Sequence, residues 1–521
     1  MSFKTRTSSA RTLILLICIL TSLIGWLLVI YIHVNWSWAA ILASVLLLLA
    51  VVNSIQRKHT ILRNYPVIGY LRYFIEAFRP ELRQYLWESD LNGKPFNRRQ
   101  RSIVYQRAKG VRENVAFGTQ YDVNAPGYEW IAHSIFPKRF TGSMRVSIGN
   151  SQCKQPYESS ILNIGGMSYG ALSSTAISAL NEGAKIGGFA HNTGEGGISD
   201  YHLLGGPLIW QIGTGYFGCR DAFGKFNGEL FRQKATSDSV KMIELKLSQG
   251  AKPGLGGMLP ANKNTPEIAE IRHVVAGTAI LSPPAHTAFS NPTDMIRFVG
   301  FLRALSGGKP VGIKLCVGSK SDFTDICDAI YATNIIPDFI TIDGAEGGTG
   351  AAPIEFSDHV GMPLYEAIAF ASQTLERYNL NKEIKIIASG KIIAGFDIVK
   401  ALALGASCCY SARGMMFSLG CIQALQCHSG KCPVGIATQD KARAYGLDVS
   451  DKCIRVANYH QKTLDATVKL MEACGYEKFS DIDPNKIFRK VDQYHTKSFS
   501  DIYFRGKSNY KDKWPLAKIL N

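Results

Sequence analysis

The amino-acid sequence predicts an α/β protein, a TIM (β/α)8 barrel preceded by an N-terminal hairpin of two transmembrane helices. From Ser159 onward, short apolar segments that end in glycine-rich turns alternate with alanine-rich helical stretches. This alternation is typical of β/α units with parallel strands, and eight such units make a TIM barrel. Two uncharged apolar runs precede the units, as membrane helices require. A doubly wound sheet is the alternative, but no early glycine-rich dinucleotide fingerprint follows a strand.

The two apolar runs predict a membrane anchor. Leu13 to Ile32 is long enough to cross a bilayer, whereas Trp38 to Val52 is shorter and needs Trp36 and its neighbours to span fully. Positive charges at both outer ends predict a multi-pass protein of the inner or cytoplasmic membrane, with its catalytic domain in the cytoplasm. A cleaved signal peptide is the alternative, but no small-residue cleavage site is evident. The charges are Lys4, Arg6 and Arg11 before the first run and Arg57, Lys58 and Arg63 after the second.

Composition limits the class of protein further. The chain of 521 residues is 46% hydrophobic and 19% charged, which indicates a globular protein with a membrane portion. Its twelve cysteines lack the framework of a small secreted domain, so we expect a reducing compartment. Part of the net charge of +17 lies in the segment that follows the second apolar run. These basic residues could bind an anionic lipid surface or could form a solvated face without a partner, and both interpretations stay open. No nucleic-acid motif appears, and we expect no nucleic-acid partner.

The chain divides into four predicted regions. We expect a transmembrane hairpin with a short cytoplasmic N-terminus (1–58), a basic membrane-proximal lead-in (59–158), the barrel (159–440) and a C-terminal helical extension (441–521). Within the barrel the candidate strands are Ile161–Met167, Phe189–Asn192, Leu208–Ile212, Met242–Leu247, Val311–Leu315, Phe339–Ile342, Ile384–Ala388 and Cys408–Ser411. The candidate helices are Ala171–Gly183, Pro266–Val275, Asp294–Leu305, Asp322–Thr333, Met362–Tyr378 and Phe396–Leu404.

Unusual residues follow the strands, at the edge where TIM barrels place their active sites. Gly166, Met167 and Ser168 follow the first strand, and glycines beside a serine let a planar ring approach the backbone. Glu195, held among glycines after the second strand, suits a proton shuttle or an ammonium ligand. An ordinary tight turn and a solvated glutamate are the simpler interpretations of these two loops when each is taken alone.

The later strands carry further candidates. Gln249 and Lys252 follow the fourth strand, and Lys252, fixed by Pro253, suits either a substrate carboxylate or an anionic reduced flavin. The loops after strands seven and eight of such barrels often hold a phosphate through backbone N–H groups. Taken singly, each of these residues is weak evidence for a site; their order around one barrel is much stronger. The remaining strand-end residues are Lys314, Gly347, Gly348, Gly390, Arg413 and Gly414.

Three cysteines after the last strand form the most specific motif. Cys421, Cys427 and Cys432 are spaced C-x5-C-x4-C, and Pro433 follows the third. Thiolates gathered in so few residues, with a proline after the last, indicate an iron–sulfur cluster. A zinc site normally needs four ligands, usually from two separated pairs, which these cysteines do not supply. Three small buried hydrophobes in a cysteine-rich chain are the alternative.

Taken together, these motifs resemble the FMN-binding synthase domain of the glutamate synthase family. The resemblance runs from about Ser159 to Asp440 and rests on GGMSYGALS, NTGEGG, QGAKPGLGG, GIKL, DGAEGGTGA and CPVGIATQ. It implies an FMN, a [3Fe-4S] cluster in which three cysteines each hold one iron, and 2-oxoglutarate bound over the flavin. In the family, ammonia and 2-oxoglutarate condense to 2-iminoglutarate, which the reduced FMN converts to L-glutamate by hydride transfer.

The resemblance also implies individual roles. Glu195 matches the loop glutamate near the ammonia exit, and Gln249 and Lys252 match the pair that contacts substrate and flavin. Lys314 matches the flavin lysine. Cys421, Cys427 and Cys432 match the cluster ligands. The other implied flavin contacts are Gly166, Met167, Ser168, Gly347, Gly348 and Arg413, with Gly390 and Gly414 at the phosphate.

The chain departs from the family pattern in two ways that bear on its partners. Membrane helices occupy the place of the glutaminase domain, so we expect ammonia to come from free ammonium or a glutaminase partner. No nicotinamide-binding fold is evident, so we expect a separate electron donor, either a ferredoxin, a flavoprotein or a membrane redox carrier. Ser389-Gly390-Lys391 also replaces the more usual Gly-Gly pair at the phosphate. The alternative function is a membrane-linked FMN and iron–sulfur oxidoreductase acting on another small keto or imino acid. A binding or scaffold protein whose barrel has lost its catalytic activity is disfavoured, because the loop motifs are intact.

Overall fold

Eight parallel strands close into a barrel in the computed structural model, which describes residues 3–111 and 114–504. Each strand pairs with the next along the chain, and the eighth pairs with the first, which removes every open edge. The predicted TIM barrel is confirmed, and each predicted strand overlaps an observed one. The strands are β1 Leu162–Ile164, β2 His191–Asn192, β3 Leu208–Ile212, β4 Val240–Lys246, β5 Val311–Leu315, β6 Phe339–Asp343, β7 Lys385–Ser389 and β8 Cys408–Ser411.

A β-hairpin leads into β1 and closes the end of the barrel from which the strands start. It pairs Arg145–Ile148 antiparallel with Tyr157–Ser160. Its Ile148 is fully buried and packs in the barrel interior with residues that include Ile209 and Phe339. The sequence analysis identified no strand here because each arm is only four residues long. Alternation over so short a stretch does not separate a strand from a loop.

Helices cover the outside of the barrel, and the six predicted ones are all present within a few residues of their expected ends. Capping side chains fix several of them; Ser173, for example, accepts a hydrogen bond from the Ala176 N–H and begins the helix after β1. The helices of this unit are Arg98–Ala108, Ser174–Gly187, Gly228–Ala235, Pro266–Arg272, Pro292–Leu305, Lys320–Thr333, Ile354–His359, Leu364–Arg377, Gly395–Ala403, Arg413–Ser418, Lys441–Tyr445, Val449–Ala473 and Phe499–Tyr503.

Segments before and after the barrel pack together against it. The long helix Val449–Ala473 contacts both Ser174–Gly187 and Arg98–Ala108. Glu129–Ile131 also pairs with Ile487–Lys490, which pairs in turn with Thr496–Ser498, in an antiparallel sheet. The second part of the predicted lead-in and the described part of the C-terminal extension therefore belong with the barrel to one compact unit that begins at Lys94. Residues 505–521 of that extension lie outside the described residues.

Residues 1–93 form a separate compact unit built around two long helices, Phe3–Tyr31 and Ser37–Ile55. Both are long and apolar enough to span a membrane, by length and composition, over Ala10–Tyr31 and Val34–Ile55. They approach closely because Gly25 has no side chain: a Cβ there would lie 2.8 Å from the Ala40 Cα. The short helix Thr60–Asn64 and the helix Gly69–Leu82 follow, and the latter continues as a π-helical turn, Arg83–Trp87.

Candidate active site at the carboxyl end of the barrel

Glu195 and Lys246 form an ion pair where the loops after β2 and β4 meet. Glu195 lies in a single 3₁₀ turn, Gly194–Gly196, and Lys246 is the last residue of β4. The Lys246 Nζ lies 3.2 Å from the Glu195 Oε2 and also donates a short hydrogen bond to the Gln249 Oε1. The structure therefore brings two of the predicted catalytic residues, Glu195 and Gln249, onto the same lysine.

Lys252, the third predicted catalytic residue, is buried within electrostatic reach of this pair. Burial lowers the pKa of Lys252, Glu195 opposes that change, and Lys246 adds to it. Burial alone raises the pKa of Glu195, but the charges of Lys246, Lys252 and Arg272 outweigh it, and the pKa of Glu195 is lowered. Glu195 is therefore an ionised carboxylate held among three cations.

Glycine is required on two sides of the Glu195 carboxylate. A Cβ on Gly213, directly after β3, would lie 2.7 Å from the Glu195 Oε2. A Cβ on Gly257 would lie 2.5 Å from the Glu195 Oε1. Interiors are packed too tightly to absorb such approaches, so a side chain at either position displaces the carboxylate.

The sequence analysis did not identify two of the cations at this site, Lys246 and Arg272. Lys246 had a usable signal, because it is a charged residue at the end of an otherwise buried strand. Arg272 had none, because it ends the helix Pro266–Arg272, where a basic residue is ordinary. In the structure Arg272 is buried, its Nη2 donates a 3.0 Å hydrogen bond to the Tyr169 carbonyl, and burial lowers its pKa to about 10.

The loop after β1 packs directly on the turn that carries Glu195. Gly194 has a φ of +62°, in the left-handed region that favours glycine. A Cβ on Gly194 would lie 2.9 Å from the Ser168 backbone N and 3.1 Å from that of Met167. The residues predicted for ring contact and those predicted for catalysis are thus neighbours across this glycine.

A buried polar network surrounds Gly166. Glu244, in β4, accepts hydrogen bonds from Asn192 Nδ2 at 2.8 Å, Gln211 Nε2 at 2.6 Å and Thr341 Oγ1 at 2.6 Å. Both amides lie against Gly166, since a Cβ there would be 3.3 Å from the Asn192 Oδ1 and 3.2 Å from the Gln211 Nε2. Glu244 therefore fixes the orientation of two amide side chains next to the predicted ring contact.

Lys314, which pairs in register with Lys246 on the neighbouring strand, lies beside Asp343. Its Nζ is 3.8 Å from the Asp343 Oδ1, which also accepts a 2.6 Å hydrogen bond from the Ser389 Oγ. The Asp343 Oδ2 accepts a 2.8 Å bond from the Gly250 N–H. One carboxylate therefore connects Lys314 to the loops after β4, β6 and β7.

Two cations share one aromatic ring near the ends of β7 and β8. Arg413 lies 4.7 Å and Lys391 5.8 Å from the ring centroid of Phe96. The Arg413 Nη2 also donates a 2.5 Å hydrogen bond to the Glu346 carbonyl, and a Cβ on Gly348 would lie 2.7 Å from the Arg413 Nε. Burial, and next the charge of Arg413, lower the pKa of Lys391. An anion bound between the two cations would raise the pKa of Lys391 again, because it favours the charged form of the lysine.

The remaining glycines predicted to contact the flavin, Gly390 and Gly414 of them at its phosphate, have different surroundings. Gly347 donates its N–H to the Gly344 carbonyl at 2.8 Å within the loop after β6. Gly390 has a φ of +151°, which a side chain rarely adopts. Gly414 is buried against Tyr459, whose Oη would lie 2.5 Å from an added Cβ. Packing against Tyr459 is therefore sufficient to explain the glycine at position 414.

The three motif cysteines lie on the loop that follows the helix Arg413–Ser418. Burial and then the neighbouring thiols of Cys427 and Cys432 raise the pKa of Cys421 to about 12, which places the three sulfurs within mutual electrostatic reach. Among the described residues, no three Cys, His, Asp or Glu side chains are placed to hold a single metal ion. A cluster differs from that case because each thiolate binds a different iron.

Two buried cations, Lys263 and Arg101, face this cysteine loop. The Lys263 Nζ donates to the Cys427 carbonyl at 2.7 Å; burial raises the pKa of the Cys427 thiol, and the charge of Lys263 opposes that change. Arg101 acts in the same way on Cys421; one turn further along its helix, the Tyr105 hydroxyl donates to the Cys421 carbonyl at 2.6 Å. The Arg101 Nε is buried and has no hydrogen-bond partner in residues 3–111 and 114–504.

A closed parallel barrel with ionised side chains gathered at its carboxyl end defines a (β/α)8 enzyme. Comparison with known proteins makes the class more specific. Residues 140–477 match the family model described as the conserved region in glutamate synthase. The chain therefore belongs to the glutamate synthase family, as the sequence motifs implied, and is an oxidoreductase.

Two curated relatives show the extent of the similarity. A glutamate synthase large subunit-like protein, YerD of Bacillus subtilis (strain 168), is 40% identical over 464 residues, which is 81% of this chain and 88% of the relative. The archaeal glutamate synthase [NADPH] of Methanocaldococcus jannaschii is 35% identical over 322 residues, and the match spans 61% of this chain and 60% of that protein. Among solved structures, a mandelate oxidase mutant aligns with 76% of this chain and 98% of its own, at 16% identity and a TM-score of 0.43.

Proposed function

We propose that this protein converts 2-oxoglutarate and ammonia to L-glutamate as an FMN- and iron–sulfur-dependent synthase. The observation that carries the proposal is the Glu195 carboxylate held among Lys246, Lys252 and Arg272 at the carboxyl end of the barrel. Such a site offers a fixed anion for a cationic nitrogen donor and several cations for a dicarboxylate. The archaeal relative is named a glutamate synthase, which supports the same reaction.

Charge complementarity assigns the roles of the side chains. Lys252 and Arg272, whose pKa values burial lowers, each gain a counter-charge when the substrate carboxylates bind. The Glu195 carboxylate holds ammonium and accepts the proton that it releases. The nitrogen then adds to the carbonyl carbon, and loss of water leaves 2-iminoglutarate. When bound, FMN supplies the hydride that reduces the imine carbon, and a proton completes L-glutamate.

The residues around β5 to β8 fit an FMN. Arg413 and Lys391 form a pair of cations on the Phe96 ring, a place suited to the phosphate. Lys391 belongs to the Ser-Gly-Lys sequence that departs from the Gly-Gly pair of the family pattern. We expect its ammonium group to bind the phosphate by charge, where the usual second glycine would contribute a backbone N–H group. Lys314 is the cation suited to the pyrimidine edge of the ring.

The cysteine loop fits an anionic cluster. Thiolates are needed to bind iron, and the pKa of Cys421 is raised far above neutral pH in the absence of metal. Lys263 and Arg101 supply the positive charge that stabilises thiolates at this place. The buried Arg101 Nε without a partner is the group that such a cluster would satisfy.

The same proposal includes location and partners. The two apolar helices support a location in the inner or cytoplasmic membrane, and we expect the barrel in the cytoplasm. A ferredoxin, a flavoprotein or a membrane redox carrier provides electrons, and free ammonium or a glutaminase partner provides nitrogen.

Anaerobic spectroscopy of the detergent-purified protein tests the reaction. The flavin is first reduced chemically, and 2-oxoglutarate and ammonium are then added separately and together. We expect flavin reoxidation and glutamate only when both are present. Glu229→Gln, a change at an exposed helix residue, is the matched control for Glu195→Gln, which should abolish reoxidation. A reduced flavin that ignores both substrates but is reoxidised by another small keto or imino acid would replace the proposed substrate.

A further inference from the structure

Residues 69–87 carry an apolar stripe that nothing else in residues 3–93 covers. Leu71, Phe74, Ile75 and Phe78 are 60%, 62%, 52% and 50% exposed. Their i, i+3, i+4, i+7 spacing puts them on one face of the helix Gly69–Leu82. Tyr85 and Leu86 extend the same face into the π-helical turn, at 57% and 69% exposure. An exposed apolar stripe of this size marks an interaction surface.

The opposite flank of the helix is polar and contains arginines. Arg72, Glu76, Arg79 and Arg83 follow one another at helical spacing, and Arg79 and Glu76 form an exposed pair at 3.4 Å. Trp87, at the end of the segment, is 69% exposed, and tryptophan is enriched where membrane meets water. An apolar face with bulky aromatics and a flank with arginines is the pattern of a helix lying in a membrane surface.

The position of this helix along the chain supports the same partner. Its Tyr70 hydroxyl donates a 3.1 Å hydrogen bond to the Asn53 Oδ1, in the last turn of the apolar helix Ser37–Ile55. Gly69 allows this approach, since a Cβ there would lie 2.9 Å from the Leu62 Cδ2. The segment therefore begins at the depth where the second candidate span ends, which is the membrane–water boundary if that helix spans a bilayer.

We propose that residues 69–87 bind a phospholipid surface as an interfacial helix, with the stripe among the upper acyl chains and the arginines at the lipid phosphates. The inference rests on the proposed membrane hairpin. Three arginines and three glutamates of residues 69–88 cancel in charge. Apolar insertion therefore dominates, and the helix binds zwitterionic lipid as well as anionic lipid.

Hydrogen–deuterium exchange on the full chain tests this proposal. The protein is placed in phosphatidylcholine nanodiscs, and exchange of peptides from residues 69–87 is compared for the wild type and a Phe74→Glu/Phe78→Glu variant. We expect exchange about tenfold faster in the variant. Glu76→Gln, which changes the polar flank but leaves the stripe and the three arginines in place, is the matched control and should exchange like the wild type. Replacing part of the lipid with phosphatidylglycerol should leave the wild-type rate unchanged.

Several outcomes overturn the proposal. Equal exchange in the Phe74→Glu/Phe78→Glu variant would mean that the stripe is not inserted in lipid. Protection that appears only with two chains per nanodisc would assign the stripe to a second copy instead. Failure of the full chain to enter nanodiscs at all would refute the membrane hairpin itself, and flavin reoxidation by 2-oxoglutarate and ammonium reports separately on the barrel.

Discussion

Two groups of buried cations lie in the barrel unit, and they differ in what balances their charge. Lys246, Lys252 and Arg272 surround the Glu195 carboxylate, an anion that the chain itself supplies. Arg101 and Lys263 face the cysteine loop, where burial raises the pKa values of the Cys421 and Cys427 thiols. The first group, the Glu195 site, is preorganised before any ligand arrives; the second, the cysteine site, is balanced only when an anionic ligand is present.

The difference matters because a buried charge without a partner costs several kcal/mol. In the Glu195 site one carboxylate offsets part of that cost within the protein, so ligands meet a fixed field of net positive charge. At the cysteine site the positive charge of Arg101 and Lys263 would favour thiolates over thiols, as the proposed cluster requires. Substitutions that remove a charge from either site therefore test the comparison.

The largest expected effect comes from removing a thiol of the cysteine site. Cys427→Ser should lose the cluster iron and reduce electron transfer from an external donor to background, because a hydroxyl does not replace a thiolate as an iron ligand. Iron analysis and electron paramagnetic resonance measure the cluster content. Donor-dependent reduction of the flavin measures the electron transfer. Cys453→Ser, at a buried cysteine in the helix Val449–Ala473, should keep both. Full iron content in Cys427→Ser would exclude this loop as the cluster site.

Removing the anion of the Glu195 site should have the next largest effect. Glu195→Gln leaves Lys246 without its 3.2 Å partner and removes the proposed proton acceptor. We expect kcat to fall by about 10²- to 10⁴-fold, while reduction of the flavin by the electron donor is unchanged. Steady-state kinetics with ammonium and stopped-flow reduction separate the two. An unaffected kcat would remove Glu195 from the chemistry.

Loss of a single cation at the same site should be milder. Lys252→Met is expected to raise the KM for 2-oxoglutarate by about tenfold to a hundredfold, because one carboxylate loses its charged partner. Burial lowers the pKa of Lys252 from the ordinary value of 10.5, so its charge is lost at a lower pH than that of a surface lysine. The wild-type KM should therefore rise with pH below 10.5, and the Lys252→Met variant should lack that rise.

The smallest effect is expected at the cysteine site when the thiols are kept. Arg101→Met removes a buried positive charge. This loss disfavours the reduced form of a cluster, because the reduced form carries the more negative charge. We expect the reduction potential to fall by about 60 mV, the one-electron equivalent of a tenfold change in the equilibrium constant. Arg99→Met, on the same helix but over the Tyr121 ring, should leave the potential unchanged in a titration followed by electron paramagnetic resonance. A potential unchanged in Arg101→Met would show that the guanidinium does not balance the cluster.

Much of the fold could be predicted because the barrel strands are short, continuous apolar runs that end in glycines. β3, β5 and β8 have the bounds expected from the sequence. β2 was expected to be longer, but only His191 and Asn192 pair with neighbouring strands. Apolarity alone does not distinguish a paired residue from one that merely leads into a strand.

The site was predicted only in part, and the reason is geometric. Glu195, Gln249 and Lys252 stand in recognisable glycine-rich motifs, whereas Arg272 and Arg101 stand in ordinary helices. Their importance depends on which loop each helix faces after folding, and this depends on packing between segments far apart in sequence. The glycines at 213 and 257 illustrate the same limit, because their role is to leave space for a side chain from another loop.

The antiparallel sheet beside the barrel has a consequence for the order of folding during synthesis. Glu129 pairs with Arg489 in register, and their side chains form a hydrogen-bonded ion pair across 360 positions of the chain. A ribosome that has delivered the apolar helices and all eight barrel strands has still not delivered this partner strand. The strand Glu129–Ile131 therefore waits, unpaired, through the synthesis of the whole barrel, and long-range pairing of this kind is a slow step in folding.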